Sequence, residues 1–133
     1  FFSTHQSPWY PGTGDLEETG HGAGKGTTLN CPFAAGAGRD EILGAFRVKL
    51  APVMDDFRPD LVLISAGFDS RLGDPLGRFR LSDADFSELT TAMMEIADKH
   101  ARGRVISVLE GGYDLHGLTS AVHAHTHALA AHY

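Results

Sequence analysis

An α/β fold built on a parallel sheet is predicted by three observations. Two short apolar runs, Leu61-Val62-Leu63-Ile64 and Val105-Ile106-Ser107-Val108-Leu109, have the length and composition of strands. Each gives way to small residues and then to polar ones, Ser65-Ala66-Gly67-Phe68-Asp69 in one and Glu110-Gly111-Gly112-Tyr113-Asp114 in the other. Segments with helical spacing lie before, between and after them. Strands alternating with helices form parallel sheets with right-handed crossovers. A chain of 133 residues is the size of one domain.

Phe1 to His5 reads as the tail of a strand. Gln6 to Gly24 is a long connection containing Pro8, Pro11 and several glycines, with Trp9 and Tyr10 set among them. Loops of this length are uncommon in compact domains and are functional or disordered. Paired aromatics favour the functional reading, because disordered linkers are poor in them. The plainer alternative is that Trp9 and Tyr10 pin the loop to the core. Thr27 to Phe33 reads as a short strand ended by Pro32, with Cys31 as a small buried apolar residue.

Asp40 to Phe57 carries Ile42, Leu43, Phe46, Leu50, Val53, Met54 and Phe57 at helical spacing. Pro52 lies inside this pattern and predicts a kink, or two helical pieces, near Leu50. Asp60 to Asp69 follows as a strand buried on both faces. Asp69 stands at its carboxyl end, where open parallel sheets present ligand-binding residues, although Asp is equally a common turn residue. Ser70 to Arg80 is a loop with Gly73, Asp74, Pro75 and Gly77. Ser82 is a suitable N-cap, and Asp83 and Asp85 suit the positive end of the helix that follows. Phe86, Leu89, Met93, Ile96, Ala97 and His100 form its buried stripe. Arg104 to Leu109 is the second strong strand, and His116 to Ala131 the last helix. His123 and His127 share a face of that helix, but alanines fill the gaps and no H-E-x-x-H pattern is present. A solvated or interface helix is the better reading.

Bulk properties narrow the function. A formal charge of −6, with no run of basic residues, argues against a nucleic-acid binder or a polybasic membrane anchor. No apolar stretch approaches the roughly 20 residues that span a bilayer. One cysteine and the lack of a signal-like segment fit a reducing, cytoplasmic compartment. The chain opens on Phe1-Phe2 within a strand and without Met, so we expect it to be part of a longer protein. Unpaired strand edges would then favour instability or self-association.

If the two apolar strands run parallel, Asp69 and Tyr113 emerge side by side. A carboxylate and a phenol there suit a metal site with a hydrogen-bond donor for a developing oxyanion. Gly111 and Gly112 would let a substrate approach the backbone. Catalytic zinc takes three protein ligands. His5 and His21 are further candidates, but neither lies at a strand tip.

Four stretches together resemble the C-terminal part of the histone deacetylase superfamily, especially its bacterial and class II-like members. They are Ser3-Thr4-His5-Gln6-Ser7-Pro8-Trp9-Tyr10-Pro11-Gly12-Thr13-Gly14; Gly20 to Asn30; Ser65-Ala66-Gly67-Phe68-Asp69 with Asp74-Pro75-Leu76; and Glu110-Gly111-Gly112-Tyr113. The resemblance implies that residues 1–133 are the C-terminal part of a single deacetylase catalytic domain. The implied fold is a partial three-layer arginase/deacetylase-type α/β fold. The implied activity is Zn2+-dependent hydrolysis of an acetylated amine, N-acetyl-lysine or an acetylpolyamine. By the same resemblance Asp69 is a zinc ligand and Tyr113 the catalytic tyrosine that hydrogen-bonds the amide carbonyl and its tetrahedral intermediate. Tyr10, Leu76 and Gly112 line the substrate tunnel or lie against the substrate, and Ser3 and Thr4 help hold a monovalent cation such as K+. The family's Asp-x-His ligands and paired histidines are expected upstream of Phe1, so these residues alone are expected to be inactive. The alternatives are a metal-free binding module and a metallohydrolase of the same fold acting on guanidino compounds.

Overall fold

The computed structural model describes residues 1–132. Strand β1 (Phe2–Gln6) pairs in parallel with β2 (Leu29–Phe33), Phe2 opposite Leu29 and Gln6 opposite Phe33. Pro32 lies inside β2, opposite His5, and does not end the strand as expected. A two-stranded ladder tolerates it, because a missing N–H need not face the partner. Cys31 is buried.

The helical stretch that follows is broken as Pro52 requires. Helix α1 (Arg39–Gly44) passes into a π-helical turn, Ala45–Leu50, and then into α2 (Ala51–Phe57), which has Pro52 in its first turn. The proline has no N–H to give, and its ring would crowd the carbonyl one turn back. The backbone widens instead, and the Ala51 N–H bonds to the Phe46 carbonyl. Arg58, at φ 52°, turns the chain out of α2 towards β3.

Strand β3 (Val62–Ala66) pairs in parallel with β4 (Val105–Leu109), from Val62 opposite Val105 to Ala66 opposite Leu109. The single sheet expected from the sequence is present as two parallel pairs, and no ladder joins them among the described residues. A second correction concerns burial. Val62 and Ala66 face the core, while Leu63 is 68% exposed and Ile106 and Val108 stand on the same uncovered face. An apolar run reads alike whether one face or both are covered, and here the described residues cover one.

Helix α3 (Asp83–Ala101) starts in the predicted way, with the Ser82 side chain accepting from the Asp85 N–H and Asp85 reaching back to Ser82. Helix α4 (Leu115–Ala130) is capped by Asp114, whose side chain accepts from the Gly117 N–H. Asp114 is therefore a helix cap and not a free polar tip. The α4 surface is solvated only in part: His123 and His127 are exposed with stacked rings, but His125 is 7% exposed. One apolar cluster joins Phe68, Phe79, Leu81, Phe86 and Ala121, and a second joins Leu50, Val62, Ile96 and Ala97. The first sets the carboxyl end of β3 against α3 and α4, and the second packs its amino end against α3.

Candidate active site at the strand ends

Beyond Ala66 the chain leaves the ladder but stays tied to β4. The Glu110 N–H bonds to the Ala66 carbonyl at 2.9 Å, and the Phe68 N–H bonds to the Gly111 carbonyl at 2.8 Å. Phe68 is buried, with its ring 5.1 Å from that of Phe86 and 5.6 Å from that of His125. One residue further on, Asp69 is thereby set at the strand mouth. Its partner is placed by glycine. A Cβ on Gly111 would lie 2.8 Å from Asp69 Oδ2 and 3.4 Å from the Tyr113 hydroxyl, so carboxylate and phenol both lie over the bare Gly111 backbone. The predicted juxtaposition is present.

Burial holds the Asp69 carboxyl above the usual carboxylate range, and the nearby Asp74 charge adds to this. The N–H groups of Asp69 and Ser70 work against both. Asp74 itself clamps the site. Its Oδ1 accepts from the N–H groups of Leu76 and Gly77 at 2.8 and 2.9 Å, and its Oδ2 accepts from the Tyr113 N–H at 2.8 Å. Burial raises its pKa, but the backbone donors together outweigh that and hold it low. One side chain thus joins the loop of residues 70–80 to the base of Tyr113. Its sequence signal is Asp74-Pro75-Leu76-Gly77, an Asx-turn pattern within the loop. Gly77 is required because a Cβ there would collide with the Asp69 carbonyl oxygen.

A cavity of about 610 Å³ opens at this point, and Asp69, Tyr113, Tyr10, Leu76 and Thr4 are among the residues that line it. Tyr10 and Leu76 are 92% and 52% exposed, which places them at its rim. Gly112 is absent from the lining; at φ 137° its Cβ direction points to Leu118 and Phe68. The Ser3 hydroxyl is 2.9 Å from His5 Nδ1, and His5 Nε2 is 2.9 Å from the Gly14 carbonyl. A carbonyl only accepts, so Nε2 bears the proton and Nδ1 of the neutral ring accepts from Ser3. His5 therefore holds the long loop to β1. His21 is exposed and lies outside the cavity lining.

The profile of the histone deacetylase domain family matches residues 1–129. The chain belongs to the histone deacetylase family. It is 42% identical over 122 residues to the chloroplastic histone deacetylase 10 of Oryza sativa subsp. japonica, covering 92% of this chain and 28% of that one. A probable deacetylase of Archaeoglobus fulgidus is 40% identical over 117 residues, covering 88% of this chain and 33% of its own length. The solved structure of the histone deacetylase Clr3 superposes with a TM-score of 0.89 at 36% identity, over 98% of this chain and 22% of that one. The chain thus spans a third or less of the length of the curated relatives it matches, and its fold is the corresponding part of the α/β deacetylase fold.

Among the described residues no group of three or more His, Cys, Asp or Glu side chains is placed to hold an ion. Asp69 is the only carboxylate among the described residues that line the cavity. One carboxylate does not make a metal site.

His125 shares a helical face with Leu118, Val122 and Leu129 in the sequence, and the structure shows what it bonds there. Its Nδ1 is 2.6 Å from the Thr90 hydroxyl and its Nε2 is 2.8 Å from the Ser107 hydroxyl. Thr90 spends its one proton on the Phe86 carbonyl, so Nδ1 donates to Thr90 and Nε2 accepts from Ser107. This buried ring bridges α3, α4 and β4 directly beneath Phe68. No helix of the described residues is long and apolar enough to cross a membrane.

Proposed function

We propose that this chain is part of a zinc-dependent deacetylase that hydrolyses an acetylated amine, N-acetyl-lysine or an acetylpolyamine, to acetate and the free amine. The observation that carries this reading is that the Asp69 carboxylate and the Tyr113 hydroxyl both lie over Gly111 at the cavity mouth. In this reading Asp69 is one zinc ligand and the others come from residues outside this chain. Bound zinc would polarise the amide carbonyl and acidify a water.

The chain's own residues do the rest. The Tyr113 hydroxyl, on a side chain 53% exposed, donates a hydrogen bond to the amide oxygen. That bond strengthens as negative charge develops on the oxygen, which is how such a donor lowers the barrier. Asp74 fixes the Tyr113 backbone, so the hydroxyl is presented at a set position. Tyr10 and Leu76 flank the alkyl arm at the rim, Gly112 gives the backbone beside Tyr113 its close turn, and Ser3 and Thr4 serve a structural monovalent cation such as K+. A cytoplasmic location is part of the same reading. Residues 1–133 alone are expected to be inactive, because one ligand holds zinc poorly.

The test is Tyr113→Phe in the full-length protein. Zinc content should be unchanged and kcat should fall by about 10²–10³-fold, the range for losing one oxyanion donor. Turnover equal to wild type would remove Tyr113 from the mechanism.

A further inference from the structure

The charged residues of the cavity are unequally served. Among its lining residues Asp69 and Arg78 are the only ones of the Asp, Glu, Lys and Arg types. On the proposed reading, on which this inference rests, Asp69 is engaged by the metal. Arg78 has no such partner. Like Arg47, Arg80 and Arg102, Arg78 pairs with no carboxylate among the described residues, but of these only Arg78 lines the cavity. Its guanidinium lies over the Trp9 ring, 5.2 Å from the centroid, beside Tyr10 at the rim.

The Arg78 backbone is fixed at both ends: its N–H donates to Gln6 Oε1 at 3.2 Å, and its carbonyl accepts from the Gly36 N–H at 2.8 Å. Trp9 is in turn set by the loop that His5 fastens to β1. A guanidinium attracted to an indole ring still has an N–H edge to offer a second partner. That edge is a fork matched to a carboxylate.

We propose that Arg78, held on Trp9, forms a carboxylate-recognising subsite at the cavity rim. It selects acetylated lysines flanked by acidic residues and disfavours polycationic substrates such as acetylpolyamines. A substrate arm entering between Tyr10 and Leu76 brings its flanking groups past the guanidinium. Opposite charge there gains a charge-assisted hydrogen bond, whereas like charge is repelled. The chain's overall negative charge does not predict this preference, since the deciding charge is local.

The experiment compares matched acetyl-lysine peptides, flanked by Glu or by Lys, on the full-length protein. The kcat/KM ratio should favour the Glu-flanked peptide by roughly 1.5- to fivefold at low salt, the range for a rim ion pair, and the preference should shrink as salt is raised. Arg78→Glu should reverse the ratio, and Arg78→Lys should keep its direction, which also controls for folding. Equal ratios in wild type and Arg78→Glu, with both turning over, would overturn the subsite and leave the deacetylase reading standing. Calorimetric binding of the same peptides separates the opposite failure. Arg78-dependent binding of the Glu-flanked peptide without hydrolysis of any acetylated amine would keep the subsite and overturn the reaction. Neither binding preference nor hydrolysis would overturn both.

Discussion

Gly111→Ala tests the geometry of the site more sharply than removing either functional group. The new methyl would lie 2.8 Å from Asp69 Oδ2 and 3.1 Å from its Cγ, with the Tyr113 hydroxyl at 3.4 Å. The Tyr113 contact is tolerable, but the Asp69 contact is shorter than van der Waals contact by about half an ångström. Gly111 does not have a positive φ, so the backbone accepts alanine and the strain falls on the carboxylate. Turning Asp69 off its rotamer costs about 0.5–1.5 kcal/mol. A displacement of that size at a ligand exceeds what a catalytic constellation tolerates, and a 1 Å misplacement costs about 10²-fold. In the full-length protein we therefore expect Tm to fall only slightly while kcat/KM falls about 10- to 100-fold. Gly112→Ala should do the reverse. Its Cβ would meet Leu118 at 2.7 Å and Phe68 Cβ at 3.2 Å, at φ 137°, so stability should drop by about 2–4 kcal/mol from overpacking and backbone strain. Thermal melts and steady-state kinetics on both variants decide the matter. A Gly111→Ala enzyme within twofold of wild type would refute the inferred position of Asp69.

Two further outcomes follow from the clamps. Asp74→Ala strips the acceptor from the Leu76, Gly77 and Tyr113 N–H groups, so we expect about 1–3 kcal/mol of lost stability and at least tenfold lower kcat; wild-type kinetics would show that Tyr113 needs no such support. Burial lowers the pKa of His125 below its ordinary 6.5. Below pH 6.5 the unfolded chain therefore binds a proton that the folded chain refuses, so stability falls with pH from about 6.5 down to the folded pKa and is flat above. Melts between pH 7.5 and 5 should show that decline, with His125→Phe flatter than wild type; parallel curves would contradict it.

Much of this was legible in the sequence because local signals agreed with the fold. The helix N-cap at Ser82, the break forced by Pro52 and the side-by-side exit of Asp69 and Tyr113 each rest on residues near in sequence or on parallel pairing. What escaped was long-range. The uncovered face of Leu63 and Ile106 looks identical to a buried one until the neighbours are known. Helical spacing sets His125 beside Leu118, Val122 and Leu129, but its bonds to Thr90 and Ser107 depend on how α4 packs. Gly111 and Gly112 read as one pair, yet the structure gives one to Asp69 and the other to the core beneath it.

The central claim is that Asp69 is a metal ligand whose partners lie beyond these residues. Zinc stoichiometry by elemental analysis, on the full-length protein and its Asp69→Asn variant, tests it most directly. The account predicts one zinc per wild-type chain and a loss of at least tenfold in zinc affinity for Asp69→Asn with the fold intact. Full zinc occupancy in Asp69→Asn at wild-type affinity would contradict it.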